Sequence, residues 1–249
     1  MMRAGASSGG RDKERDEGPD WLGHECRENF RRNCDALEPR APELVRQLRS
    51  CPVPAAAAIH AEKSRDGHWV LFSQGKPLYS RYRPLEECKK WIAKDLRSET
   101  NAAIFAGFGL AYQIEELLRH RSRAVILVAE PSYALFKAAL CLRDLRHLLR
   151  NPKFFCSVGP EANIELYLHH FSERNFQFYQ LQSLYHHSKE FYQPLQRRIL
   201  NLLSRFRVNT NTLNRFGQLW VQNIAMNLHA LTGAADAGIF YRQFCGLPF

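Results

Sequence analysis

Residues 101–131 read NAAIFAGFGLAYQIEELLRHRSRAVILVAEP and hold two short apolar runs separated by a segment with helical spacing. Both runs, Ala102–Ala106 and Ala124–Ala129, are apolar at every position, which is typical of strands in the middle of a parallel sheet. The segment Leu110–Arg119 between them repeats its apolar residues with the period of a helix. This order predicts a strand–helix–strand unit with a right-handed crossover.

The alternation continues after residue 131, and Ser132 stands where a helix N-cap is expected. The region 101–182 therefore predicts an α/β fold, a Rossmann-like doubly wound parallel sheet with helices on both faces. The further predicted elements are a helix over Ser132–Leu140, a strand over Lys153–Val158, a helix over Ala162–Phe171 and a strand over Phe176–Leu181.

A small β meander and one helix are predicted before this domain, within residues 55–100. Short apolar runs alternate there with the turn-rich stretches SRDG and SQGKP, a pattern typical of hairpins. The predicted strands are Ala55–His60, His68–Ser73 and Leu78–Tyr82, and the predicted helix runs from Pro84 to Arg97.

The two ends of the chain differ in character. Residues 1–20 are rich in Gly and Ser and then mixed in charge, which predicts a disordered tail. Residues 21–54 predict a helical segment interrupted by prolines. Residues 183–249 predict C-terminal helices, one of them over Thr212–Leu231, and then a truncated linker to an absent domain.

Composition sets outer limits on function. The hydrophobic fraction is 45% and the charged fraction 24%, which excludes a wholly disordered chain and a membrane bundle. Seven cysteines without a CxxC pair argue against a zinc site and for a reducing compartment. Because the sequence shows neither an apolar signal core nor a run that could span a bilayer, we expect a cytoplasmic protein without a membrane role.

The formal net charge of +10 is unevenly placed, because Leu184–Arg215 holds six basic residues and one acidic residue. Such a patch attracts phosphates, nucleic acid or an acidic protein surface. A solvated helix face is the simpler interpretation. Most aromatic residues of this stretch fit a core face better than an exposed one, so nucleic-acid binding is not predicted.

The junction GFGLAY at residues 107–112 carries the pattern with chemical meaning. Gly107 and Gly109 would let main-chain amides approach an anionic or ribose-bearing ligand. Glu130 follows Gly109 by 21 positions, where nucleotide-binding folds place an acid that accepts hydrogen bonds from ribose hydroxyls. Tyr112 replaces the third glycine of a dinucleotide fingerprint, which favours a single nucleoside such as the adenosyl part of S-adenosylmethionine. These four residues are the predicted cofactor-binding set, and the cofactor is left unknown.

The alternative is that the glycines only shape a tight turn and that Glu130 caps the following helix near its positive end. The adjacent pairs His169–His170 and His186–His187 do not face one site, so no metal ligand is predicted. The sequence has no GxSxG elbow, Walker loop or HExxH motif, and no catalytic residue is predicted.

Five stretches of the chain are YSRYRPLEECKKW, NAAIFAGFGLAYQIEELL, VILVAEPSYALFKAAL, RDLRHLL and TLNRFGQLWVQNIAMNL. Together they resemble the N-terminal domain of the motility accessory factor (Maf) family. These are bacterial flagellin glycosyltransferases, related to archaeal 6-hydroxymethylpterin diphosphokinase-like proteins. The resemblance extends from about residue 55 to the C-terminus.

In the family, a segment like FCGLP continues into a strand and a glycine-rich loop that open the domain for the nucleotide-activated nonulosonic sugar. This sequence stops at residues 246–249, GLPF. The resemblance therefore implies an accessory or binding domain, not catalytic by itself, without its sugar-transfer domain. It implies flagellin or a separately encoded catalytic domain as partner, and a nucleotide or nucleotide sugar as ligand.

Two other functions stay open. One is an S-adenosylmethionine-dependent methyltransferase-like domain, although the first strand begins with Ala102 and Ala103 rather than an acid and no NPPY-type segment follows. The other is a degenerate Rossmann-like domain that binds no ligand.

Overall fold

The computed structural model describes residues 23–52, 58–171 and 174–201, together with positions 204, 217, 219, 221–223 and 226. The chain divides into two compact units, Met1–Leu195 and Gln196–Phe249. In the second unit the described positions are helical. The predicted tail over residues 1–20 lies outside the described residues, as do most of the predicted helix over Thr212–Leu231 and part of the basic stretch.

The first unit contains two sheets and the helices that accompany them. Residues 189–195 are also helical. In chain order the elements are α1 (His24–Leu37), α2 (Pro42–Ser50), β1 (Ile59–Lys63), β2 (Trp69–Ser73), β3 (Lys76–Pro77), α3 (Pro84–Asp95), β4 (Ala102–Ala106), α4 (Tyr112–His120), β5 (Val125–Glu130), α5 (Tyr133–Leu142), α6 (Arg146–Leu149), β6 (Phe154–Val158), α7 (Glu165–Leu168), β7 (Phe176–Gln180) and α8 (Gln182–His187).

The larger sheet has four parallel strands in the order β6-β5-β4-β7. Ile104 of β4 lies beside Leu127 of β5 on one side and Phe178 of β7 on the other. Every residue of β4 and β5 is buried, as expected for strands that are apolar on both faces. The predicted Rossmann-like α/β fold is confirmed.

The order of the strands creates a crevice at one point of the sheet. The chain places β5 and then β6 on one side of β4, and it returns to place β7 on the other side. In open α/β sheets, ligands bind where the strand order reverses in this way, outside the carboxyl ends of the two strands. We name the space beyond the carboxyl ends of β4 and β7 the switch point.

The smaller sheet is antiparallel, in the order β1-β2-β3, and confirms the predicted meander. Its second hairpin closes through Gln74 and Gly75, which have φ of 50° and 74°. Two left-handed residues suit a two-residue hairpin loop, because their twist matches that of the flanking strands.

Some predicted bounds are wrong. The third strand was expected over Leu78–Tyr82, but β3 ends at Pro77. Beyond it the hydroxyl of Ser80 accepts hydrogen bonds from the main-chain N–H groups of Tyr82 and Arg83. This local turn directs the chain into α3 instead of extending the sheet.

Two other elements differ in extent. The helix predicted over Ala162–Phe171 is reduced to α7 and a 3-10 turn at His169–Phe171, and the carboxamide of Asn163 accepts the N–H of Glu165 just where α7 begins. The first strand, predicted over Ala55–His60, is observed at Ile59–Lys63, and residues 53–57 lie outside the described part of the chain.

The start of α4 is unusual because its N-cap residue, Ala111, is left-handed with φ of 62°. A left-handed backbone costs an L-residue with a Cβ roughly 1–2 kcal/mol. Ala111 is fully buried, so neighbouring atoms hold it in this conformation. Because a left-handed residue cannot be part of a right-handed helix, α4 begins at Tyr112, two residues later than predicted.

We expect Ala111→Gly to leave the free energy of unfolding within about 0.5 kcal/mol of wild type, because relief of the strain offsets the lost methyl and the added chain entropy. The control Ala93→Gly, at an exposed position of α3, should lose about 1 kcal/mol. Urea unfolding followed by circular dichroism measures both. A loss at position 111 equal to that at position 93 would show that Ala111 is unstrained.

Candidate functional site

The sequence-predicted set lies at the carboxyl edge of the parallel sheet. Gly107 and Gly109 follow β4, and Glu130 is the last residue of β5. The main-chain N–H of Phe108 donates to Oε2 of Glu130 at 3.0 Å, so the turn and the carboxylate are brought together. Tyr112 opens α4 and makes its contacts elsewhere.

Tyr112 is directed toward the hairpin. Its hydroxyl donates to the main-chain carbonyl of Trp69 at 3.0 Å, and its ring meets that of Tyr79 edge-on at 5.3 Å. The guanidinium of Arg143 lies 4.4 Å from the centre of the Tyr112 ring. The residue in the third-glycine position therefore joins the two sheets.

Both glycines of the turn are required by backbone conformation and by space. Gly107 has φ of 98° and Gly109 has φ of 54°, a region that L-residues rarely adopt. A Cβ on Gly107 would lie 2.8 Å from Cδ1 of Leu184. A Cβ on Gly109 would overlap the Tyr79 hydroxyl and lie 2.9 Å from Cδ2 of Leu181.

The main-chain groups of the turn are satisfied by side chains that the sequence analysis did not identify. The Tyr79 hydroxyl accepts the N–H of Leu110 at 2.8 Å and donates to Oε1 of Gln113 at 2.8 Å. The Gln113 amide in turn donates to the carbonyl of Phe108 at 3.0 Å. Tyr79 comes from the segment after β3. It lies 31 residues before Leu110, so no local sequence motif includes both residues.

Arg143 completes this support from the other side. Its guanidinium donates to the carbonyl of Leu110 at 2.6 Å and to the carboxylate of Glu115 at 2.9 Å. Nε2 of His147 lies 3.0 Å from Glu115. The arginine thus ties the turn to the first helical turn of α4.

Glu130 is fully buried. Its two oxygens accept one main-chain N–H each, from Phe108 and from Ser132, both at 3.0 Å. Burial raises the pKa of Glu130 to about 7 although the two hydrogen bonds act to lower it, because a charge loses its hydration in the interior. The Ser132 hydroxyl accepts the N–H of Leu135 at 3.1 Å and confirms the predicted N-cap of α5.

These contacts match the alternative in which the glycines shape a turn and Glu130 holds the start of the next helix. The predicted cofactor binding by Gly107, Gly109, Tyr112 and Glu130 stays a prediction. A ribose would have to reach an oxygen of Glu130, and this side chain is fully buried, with a main-chain N–H on each oxygen.

The switch point itself is filled by Leu184 of α8 and by Tyr192, which is fully buried. The Tyr192 hydroxyl would lie 3.4 Å from a Cβ on Gly107. Within the part of the chain that the structure describes, it is a buried side-chain oxygen without a hydrogen-bond partner. Burial, and then the charge of Glu130, raise the pKa of Tyr192.

Two cavities open near this edge of the sheet. One of about 430 Å³ lies between the segment after β3, α3 and the residues that follow β7. We name it the hairpin cavity, and Tyr79 and Leu181 separate it from the glycine turn. The other, of about 400 Å³, lies at the carboxyl end of β6 beside Tyr133.

Other chemistries find little support among the described residues. No group of three or more His, Cys, Asp or Glu side chains gathers there as metal ligands. Burial raises the pKa of the Cys88, Cys141 and Cys156 thiols to about 12, which makes them poor nucleophiles. No helix in the described ranges is both long enough and apolar enough to cross a membrane.

Comparison with known proteins identifies the family. The family model described as the Glycosyltransferase Maf N-terminal domain matches residues 81–206, just over half of the chain, and the chain belongs to that family. The matched region runs from the residues before α3 through the whole parallel sheet and α8.

Two similar proteins give the scale of the match. An uncharacterized protein of Treponema pallidum (strain Nichols) is 26% identical over 227 residues, which are 82% of this chain and 73% of that protein. The solved Maf glycosyltransferase of Magnetospirillum magneticum AMB-1 is 16% identical, with a TM-score of 0.48 over 62% of this chain and 32% of that one. The chain thus spans about a third of the length of that glycosyltransferase.

Two conservative substitutions of buried tyrosines should differ in their effect on stability. Tyr79→Phe should lower the free energy of unfolding by about 1–3 kcal/mol, because it leaves the buried N–H of Leu110 without an acceptor. Tyr192→Phe removes a hydroxyl that has no hydrogen-bond partner among the described residues, and it should be neutral or stabilising. Chemical unfolding of the two variants tests this pair. A clear loss in Tyr192→Phe would reveal a hydrogen bond to that hydroxyl.

Glu130 should make stability fall as pH rises. Its pKa is about 7 in the folded state against 4.5 as the ordinary value, so unfolding releases a proton between these pH values. The free energy of unfolding should drop by about 2 kcal/mol between pH 5.5 and 8.5 relative to Glu130→Gln, which cannot titrate. Urea unfolding of both proteins at the two pH values measures the difference. Equal pH dependence would contradict the shifted pKa.

Proposed function

We propose that this chain is the accessory N-terminal module of a Maf-like protein glycosyltransferase. In this role it helps to modify flagellin with a nonulosonic sugar in the bacterial cytoplasm, and it does not transfer the sugar by itself. Family membership supports the assignment to such an enzyme.

The closed turn at the sheet edge is the observation that carries the accessory role. Leu184 and Tyr192 fill the place where an α/β enzyme would hold its ligand, and Tyr79 and Leu181 press on Gly109. The acid that would recognise a ribose is used to hold two main-chain N–H groups. A nucleotide-type turn that is used as an internal brace favours a scaffolding or binding module over a catalytic one.

The same contacts bear on the two alternatives. A methyltransferase-like domain would need Glu130 to accept hydrogen bonds from the ribose of S-adenosylmethionine, and this geometry favours it least. A degenerate domain without a ligand agrees with the filled switch point. The degenerate domain would have no partner, whereas the accessory module would bind flagellin or the sugar-transfer domain. A binding measurement with these two proteins therefore distinguishes the hypotheses.

A reconstituted reaction tests the proposal. The purified chain is incubated with flagellin and a nucleotide-activated nonulosonic sugar, with and without a separately produced sugar-transfer domain, and flagellin is weighed by intact-mass spectrometry. We expect added mass only with the transfer domain, and we expect the chain to co-elute with flagellin or with that domain at low salt.

The control is the transfer domain without this chain, which should modify flagellin more slowly than the two proteins together. Sugar transfer by the chain alone would overturn the accessory role. Failure to associate with either protein would favour the degenerate domain instead.

A further inference from the structure

The hairpin cavity is built from two neighbouring segments of the chain and from a third that is distant in sequence. Its walls come from residues 77–80 after β3, from Glu87, Cys88 and Trp91 of α3, and from residues 180–183 at the end of β7 and the start of α8. Its volume of about 430 Å³ lies within the range of small-molecule sites, about 300–1,000 Å³.

The location of the cavity agrees with the general position of ligands in α/β folds. Gln180 is the last residue of β7, so the cavity opens at the carboxyl end of a strand that borders the switch point. The volume directly above Gly107 is taken by Leu184 and Tyr192. The hairpin cavity therefore lies beside this filled volume, with the side chains of Tyr79 and Leu181 between the cavity and the glycine turn.

Trp91 provides a fixed aromatic wall. Its indole Nε1 donates to the carboxylate of Asp95 at 2.9 Å, and its ring packs edge-on against Tyr179 at 6.0 Å. The side chain is half-buried. A ring held in this way needs no rearrangement to receive a ligand, which reduces the entropy cost of binding.

The polar groups around this wall are rich in hydrogen-bond acceptors. The carboxylate of Glu87 lies on the cavity and accepts the main-chain N–H of Ser80 at 2.6 Å through one oxygen. Serine hydroxyls and glutamine amides complete the polar part of the lining. A carboxylate can accept several hydrogen bonds, so a ligand with hydroxyl donors suits this set.

Charge narrows the class of ligand. Glu87 is the charged side chain on the cavity, and no Lys, Arg or His is among the described residues that line it. A lone carboxylate repels phosphates and carboxylates and leaves them without a counter-ion. The cavity therefore selects against acidic sugars and nucleotides.

We propose that the hairpin cavity is a binding site for an uncharged pyranose sugar. The apolar face of the sugar ring packs on the Trp91 indole, and its hydroxyls donate to Glu87 and meet the amide of Gln182. A single aromatic wall beside a carboxylate and an amide suits a ring that has an apolar face and hydroxyls on its edge. The proposal does not depend on the accessory role.

Ligand-observed saturation-transfer NMR on the full chain tests the site with three probes: N-acetylglucosamine, N-acetylneuraminic acid and adenosine. We expect saturable binding of N-acetylglucosamine, with the acidic sugar weaker by about tenfold because of Glu87. The variant Glu87→Gln should bring the two sugars close to equal affinity. Equal binding of both sugars to the wild type, or binding of adenosine alone, would overturn the proposal.

Matched tryptophan variants locate the binding. Trp91→Leu should weaken N-acetylglucosamine binding by about tenfold. Trp69→Leu should leave it unchanged, because Trp69 lies on β2 under the Lys63 ammonium, with 3.9 Å between that nitrogen and the ring centre. Equal losses in both variants would contradict a site at Trp91.

A variant at an exposed position separates loss of sugar binding from loss of folding. Gln182 is exposed at the start of α8, so Gln182→Trp fills the cavity without disturbing the core. It should abolish N-acetylglucosamine binding while circular dichroism and the unfolding midpoint stay at wild-type values. Unchanged binding in a folded Gln182→Trp protein would place the sugar elsewhere and overturn the proposal.

Discussion

The hydrogen bond from the Leu110 N–H to the Tyr79 hydroxyl links the buried turn after β4 to the segment after β3. In a turn at the end of a central strand, the main-chain N–H and C=O groups no longer pair with neighbouring strands. Each such group that is buried without a partner costs about 1–3 kcal/mol. Tyr79, Gln113 and Arg143 supply these partners. The small antiparallel sheet is therefore a support of the parallel one, because it carries the segment that delivers Tyr79.

Glu130 shows how one residue can satisfy a binding motif and still serve the fold. Its position at the end of β5 is where a nucleotide-binding domain places its ribose acceptor. Here desolvation dominates its electrostatics, since the pKa rises despite two main-chain hydrogen bonds. The buried Glu130 carboxyl connects the glycine turn to the start of α5 through one hydrogen bond to each. The hairpin cavity, which Glu87 lines, lies on the far side of Tyr79 and Leu181 from the glycine turn.

Particular elements show which predictions the sequence could support. The bounds of β4 coincide with the predicted run, because continuous apolar residues next to glycine leave few alternatives. The predicted strand over Leu78–Tyr82 failed because hydrogen bonds of Ser80 redirect the chain there. The helix predicted from Leu110 begins at Tyr112 instead, and the Tyr112 side chain contacts the hairpin rather than the turn.

The amino-acid sequence by itself determined the alternation of strands and helices, the two glycines at their junction and the family, because these depend on local periodicity and on residue type. Only the tertiary structure decided what covers the glycine turn. Tyr79, Leu184 and Tyr192 come from segments before and after the turn, and no spacing rule predicts which distant side chain fills a given volume. The hairpin cavity arises in the same way, since its walls meet only when the strand order reverses at β4 and β7.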